Sequence, residues 1–174
     1  MKNYIKYSSV LLMGCIMIFT MDASSNTSLG RGSHAPALAG IMHNTEGPVL
    51  EMGAGDFSTQ LLHALCMNTD RKLYTCDLAK ETLNLFQYMV KSWHKFIHVT
   101  EASMWDNIGN EEEHWGVVFI DHLPKERRAV ELQRLRDKVD VFVVHDTNDE
   151  SFGLEEVLSS FKYRSTFTHY TPHT

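Results

Sequence analysis

Apolar and polar positions fall in blocks along this chain. Short, largely apolar stretches occur at 49–52, 72–78, 96–100, 115–121 and 139–144, separated by stretches with apolar residues at three- and four-residue spacing. Runs of that length read as strands buried on both faces, and the spaced stretches read as amphipathic helices. The helices are predicted at 34–42, 60–66, 80–94, 125–138 and 153–161, with Pro36 accommodated in a first turn. Leu83, Phe86, Val90 and Trp93 share one face of the third, and Ala129, Leu132 and Leu135 one face of the fourth. Residues 163–170 alternate in character and predict a sixth strand. This order predicts an α/β fold, a doubly wound and mostly parallel sheet with helices on both faces. Ligands of such sheets bind at the carboxyl ends of the strands, where the strand order reverses.

The first 32 residues break the pattern. Lys2 and Lys6 precede an apolar run at 10–19, and a polar stretch follows at 22–28. That is the layout of a secretory signal, and the run is shorter than the ~20 apolar residues of a membrane span. Residues 7–21 are expected either to contact a membrane within a targeting or anchoring segment or to form a buried helix. In the first case the protein is exported or membrane-associated, and in the second cytoplasmic. Cys15 lies in a partial lipobox, and Asn26-Thr27-Ser28 is a glycosylation sequon. A Ser/Gly/Asn linker at 24–33 then leads into the core. The expected organisation is a signal-like segment and linker at 1–32 and one Rossmann-like domain at 33–174.

Composition narrows the partners. A formal net charge of −6 argues against general nucleic-acid binding, which needs a basic stripe. The basic cluster of Lys125, Arg127, Arg128, Arg134 and Arg136 reads as the solvated face of one helix. Three cysteines give neither a disulfide framework nor zinc spacing, and Cys66 and Cys76 read as small core residues.

The chemistry gathers at predicted strand ends. Glu51-Met52-Gly53-Ala54-Gly55 closes the first strand, and Ser58-Thr59 opens the next helix. Glycines there let the backbone approach a ligand, and free N–H groups at the helix start face it. Asp77 ends the second strand, where a carboxylate can accept both hydroxyls of a ribose. Glu51, an acid in a buried strand, needs a partner. Asp121-His122 and His145-Asp146 end two further strands. Three readings of that group stay open: a divalent-cation site on Asp121 and Asp146, taking Mg2+ or Mn2+; general-base catalysis by His122 or His145; or a hydrogen-bonded network closing the strand ends.

Val49-Leu50-Glu51-Met52-Gly53-Ala54-Gly55, the strand-end Asp77, Phe119-Ile120-Asp121-His122 and Val143-Val144-His145-Asp146-Thr147 together resemble the core of class I S-adenosylmethionine-dependent methyltransferases. Among these, the metal-dependent small-molecule O-methyltransferases are nearest in motif style. The resemblance implies methyl transfer to a small-molecule acceptor, most simply an oxygen. It implies that Glu51, Gly53, Gly55, Ser58 and Asp77 hold the cofactor, with Glu51 toward its ammonium and Met104 and Trp105 near the adenine. It places Asp121 and Asp146 beside the transferred methyl, with His122 and His145 as the catalytic candidates next to them. Two departures from the family are visible: Phe57 stands at the third glycine of the motif, and the family's last antiparallel strand is expected to be missing. Two other classes remain open: a non-catalytic exported or membrane-tethered binding module, and a nicotinamide-dependent Rossmann enzyme.

Overall fold

A computed structural model describes residues 32–174; the signal-like run, Cys15 and the sequon lie outside them. The chain forms α1 (Ala35–His43), β1 (Val49–Met52), α2 (Ser58–Thr69), β2 (Leu73–Asp77), α3 (Lys80–Leu85), β3 (His94–His98), β4 (Trp115–Ile120), α4 (Arg127–Leu135), β5 (Val139–Val144) and α5 (Leu154–Ser159). The strands make one all-parallel sheet in the order β3-β2-β1-β4-β5. The order reverses between β1 and β4, which puts the switch point at the glycine turn. Every residue of β1 and of β4 is buried, Glu51 among them.

Side-chain alternation along the strands divides the core in two. Val49, Leu73, Val117, Phe119 and Val143 face α1 and α2, packing on Leu38, Met42, Leu62 and Cys66. Leu50, Met52, Tyr74, Val118, Ile120 and Val144 face the other way, onto Trp105, Leu132, Leu135, Leu154 and Val157. Each fully buried side chain of this size stabilises the fold by about 1.5–3 kcal/mol. Arg71, also buried, closes the α1–β1 connection by donating to the carbonyls of Met42, Thr45, Glu46 and Gly47. Among the described residues no helix is long and apolar enough to cross a membrane.

Three expectations are corrected. The helix predicted at 80–94 stops at Leu85; a short 3-10 turn, Gln87–Met89, follows, and β3 begins at His94 rather than residue 96. His94 pairs with Leu73, so the chain must already be extended there. Residues 163–170 form no strand. Their alternation finds no neighbour in the sheet, Tyr163 is 81% exposed, and the local backbone pairing is between Phe167 and Thr174. β5 is therefore an edge, and no antiparallel strand occurs among the described residues. The basic face of α4 is not wholly solvated: Arg128 is 2% exposed and Glu131 is fully buried between Arg127 and Arg134.

Candidate functional site

Two polar networks lie at and beneath the carboxyl edge of the sheet. The first is built on the glycine turn. Gly53 has φ +103°, and a Cβ there would lie 2.6 Å from the Asp121 carbonyl, so only glycine lets β1 turn against the end of β4. Packing alone explains this residue. Gly55 is different, since a Cβ there would meet only the Ser58 hydroxyl at 3.4 Å. The turn is tied to β2 through the Ala54 N–H, which donates to Asp77 Oδ2 at 2.8 Å, while Ala79 N–H donates to Oδ1 at 2.6 Å. Partial burial pushes the Asp77 carboxyl up, and these two N–H donors oppose the shift.

Beneath the turn, Glu51 is fully buried. Thr59 donates to its Oε1 at 3.0 Å and Thr75 to its Oε2 at 2.7 Å. Burial raises its pKa to about 7 against the hydroxyls of Ser58, Thr75 and Thr59. Having given its only proton, Thr75 accepts from His94 Nε2–H at 3.0 Å. His94 Nδ1 then accepts from His63 Nδ1–H at 2.8 Å. Burial, with His63 adding, lowers the His94 pKa to about 3, so this imidazole is neutral. The result is one continuous chain, His63 to His94 to Thr75 to Glu51, ending at a half-exposed imidazole. The partner that Glu51 needs is thus supplied inside the protein, and its carboxylate reaches no surface. Ser58, 2% exposed, likewise faces inward.

The second network joins the ends of β4 and β5. Arg128 is its centre. It donates to Asp121 Oδ1 at 2.8 Å, Asp146 Oδ2 at 3.1 Å, the His122 carbonyl at 3.1 Å and the His145 carbonyl at 3.0 Å. Asp146 adopts φ +58°, a left-handed conformation that aspartate tolerates, and this turns its carboxylate back toward the strand ends. His145 Nδ1 lies 3.3 Å from both Asp121 Oδ2 and Asp146 Oδ1, yet is aligned for a hydrogen bond with neither. His34, at the start of α1, packs edge-on to His145 with ring centres 4.7 Å apart, and neither of its ring nitrogens has a partner among the described residues. Burial, with His145 adding, lowers its pKa to about 4.

The expected residues are thus only partly brought together. Asp121, His145 and Asp146 meet, with Arg128 taking one oxygen of each carboxylate. His122 instead stacks on Trp105 with ring centres 4.2 Å apart, and burial lowers its pKa to about 4. Trp105 is itself fully buried, its indole N–H donating to the Leu123 carbonyl at 3.1 Å. It forms a wall beneath His122 and offers no open face to an adenine. Met104 is half-buried at the rim, its sulfur accepting from the Thr100 hydroxyl at 2.9 Å. The sequence reading missed Thr75, His94, His63, Arg128 and His34. Only Thr75 and His94 carry a local signal, as polar residues at the buried positions of strands. A groove of about 880 Å³ runs along the β5 edge between α1 and residues 161–167, its lining reaching Val144 and Thr147 beside the second network.

Compared with known protein families, characterised proteins and solved structures, the chain matches none.

Proposed function

We propose that the chain transfers a methyl group from S-adenosylmethionine to a small-molecule acceptor, most simply a hydroxyl. The observation that carries this reading is the hydrogen bond from Ala54 in the glycine turn to Asp77 at the end of β2. It makes the turn and the strand-end acid one cradle at the switch point of a β3-β2-β1-β4-β5 sheet. Each Asp77 oxygen accepts one N–H and keeps a lone pair, so a ribose with two adjacent hydroxyls matches what remains. Gly55 leaves room for the ligand backbone where a side chain would stand. Glu51 fits the family pattern less directly, lying fully buried below the turn with no contact to the crevice.

The cofactor supplies an electrophilic methyl on a sulfonium. The chain's own part is alignment and proton management. Asp121 is the most exposed acid of the second network and lies beside the turn, so it is placed to accept the acceptor's hydroxyl proton. Arg128 fixes its orientation.

Calorimetric titration of S-adenosylmethionine into the full chain tests the reading. Micromolar binding is expected, weakened about tenfold or more in Asp77→Asn, which keeps an acceptor for Ala54 but halves the acceptor capacity left for a ribose. A folded protein that binds no S-adenosylmethionine overturns it.

A further inference from the structure

We propose that His34, His145 and Asp121, with Asp146 beside them, bind one divalent first-row transition-metal ion at the carboxyl ends of β4 and β5. This goes beyond the methyl-transfer reading and does not rest on it. It also differs from the two-carboxylate site expected from the sequence, because two of the donors are imidazole nitrogens and one comes from the start of α1.

The orientation of His145 follows from its neighbour. The Ser33 hydroxyl has one proton, which goes to the Pro172 carbonyl at 2.7 Å. Its 2.9 Å contact with His145 Nε2 therefore has the imidazole donating. Nδ1 is then the nitrogen left to act as a ligand, 3.3 Å from a carboxylate oxygen of Asp121 and one of Asp146 and aligned for a hydrogen bond with neither. A cation in that position resolves the arrangement.

A second proton on His145 would relieve only half of it. His34 is 3% exposed, and its ring nitrogens are without partners among the described residues. One donor atom each from His34, Asp121 and His145 lie within 4.8 Å of one another. Ring and carboxylate rotations of about 1 Å bring such atoms onto an ion at the ~2.0–2.2 Å of metal–nitrogen and metal–oxygen bonds. One ion satisfies both imidazoles, which a proton cannot do.

The surroundings favour it as well. Arg128 holds the outer oxygens of both carboxylates and leaves Asp121 Oδ2 and Asp146 Oδ1 turned inward. Ser33 fixes the His145 ring in the same way. Such outer partners are what orient ligands at metal sites. Two carboxylates against one guanidinium leave a single net negative charge beside the two imidazoles. Nitrogen donors select zinc, iron or manganese over magnesium, which prefers oxygen.

The test uses the full chain without a polyhistidine tag, stripped with a chelator and titrated calorimetrically with Zn2+ and Mg2+. One Zn2+ per chain is expected, with Mg2+ far weaker. His34→Gln and His145→Gln should each weaken Zn2+ about tenfold or more, while His63→Gln leaves it unchanged. Imidazole 15N resonances of the wild-type chain give a readout that survives if a variant fails to fold. Zn2+ should shift the signals of His34 and His145 and leave those of His63 and His94 in place. Absence of zinc binding by the folded chain, or binding that moves neither His34 nor His145, overturns the assignment, whatever the outcome with S-adenosylmethionine.

Discussion

The network under β1, β2 and β3 and the network at the ends of β4 and β5 use the same materials: carboxylates, imidazoles and hydroxyls. They differ in closure. In the first, both oxygens of Glu51 have hydroxyl donors, and the chain runs on through Thr75 and His94 to His63 without a gap. In the second, Arg128 satisfies the outer oxygens, while His145 Nδ1 and both nitrogens of His34 are left without partners among the described residues. A closed buried network fixes a backbone, and an open one has places for a ligand atom. The glycine turn sits on the closed network and beside the open one, so the first shapes the turn and the second borders it.

The largest effect should come from Arg128→Met. It leaves two carboxylates facing each other at 27% and 19% exposure with no cation between them. Breaking a buried pair from one side costs about 3–5 kcal/mol, and the partial exposure of both acids puts this case near the low end, about 3 kcal/mol. Urea denaturation measures it. If the open network takes a cation, Zn2+ should restore part of the lost stability. A loss under about 1 kcal/mol would mean that Arg128 is not the centre of this network.

Thr75→Val should cost about 2 kcal/mol, by stripping Glu51 Oε2 and His94 Nε2 of their shared hydroxyl at almost constant volume. Here Zn2+ should restore nothing. Equal rescue of the two variants would erase the distinction between the networks.

How far each network is legible follows from sequence distance. The strands announce themselves by largely apolar runs, and Glu51, Asp77, Asp121 and Asp146 by standing where those runs end. Thr75 is a polar interruption of a buried strand and His94 the buried first residue of an edge strand, readable once β1, β2 and β3 are aligned in register. Arg128 is not readable. On α4 it looks like its neighbour Arg127, and only the packing of that helix start against the strand ends buries one and leaves the other at the rim. His34 is hidden more deeply, because it reaches Asp121 and His145 only after the whole sheet has wound. The alternation at 163–170 misleads for the converse reason: a strand needs a neighbour, and no ladder forms there.

The pH dependence of stability should separate the networks with the least perturbation. Glu51 has a folded pKa of about 7 against 4.5 for an ordinary glutamate, so the stability it contributes is present below pH 4.5 and lost as pH rises through 7. His34, His94 and His122 behave oppositely, with folded values of about 4, 3 and 4 against 6.5. Their contribution is present above pH 6.5 and lost as pH falls toward 4. Near pH 5.5 the three histidines and the one carboxyl give a net uptake of about two protons on unfolding, or roughly 3 kcal/mol per pH unit. Glu51→Gln should remove the opposing contribution and steepen that slope by about 1 kcal/mol per pH unit, with no further loss between pH 6.5 and 7. Stability curves for the two proteins between pH 4 and 8 decide it. An unchanged slope would mean that Glu51 titrates at its ordinary value, and that the closed network carries a full negative charge beneath the glycine turn throughout.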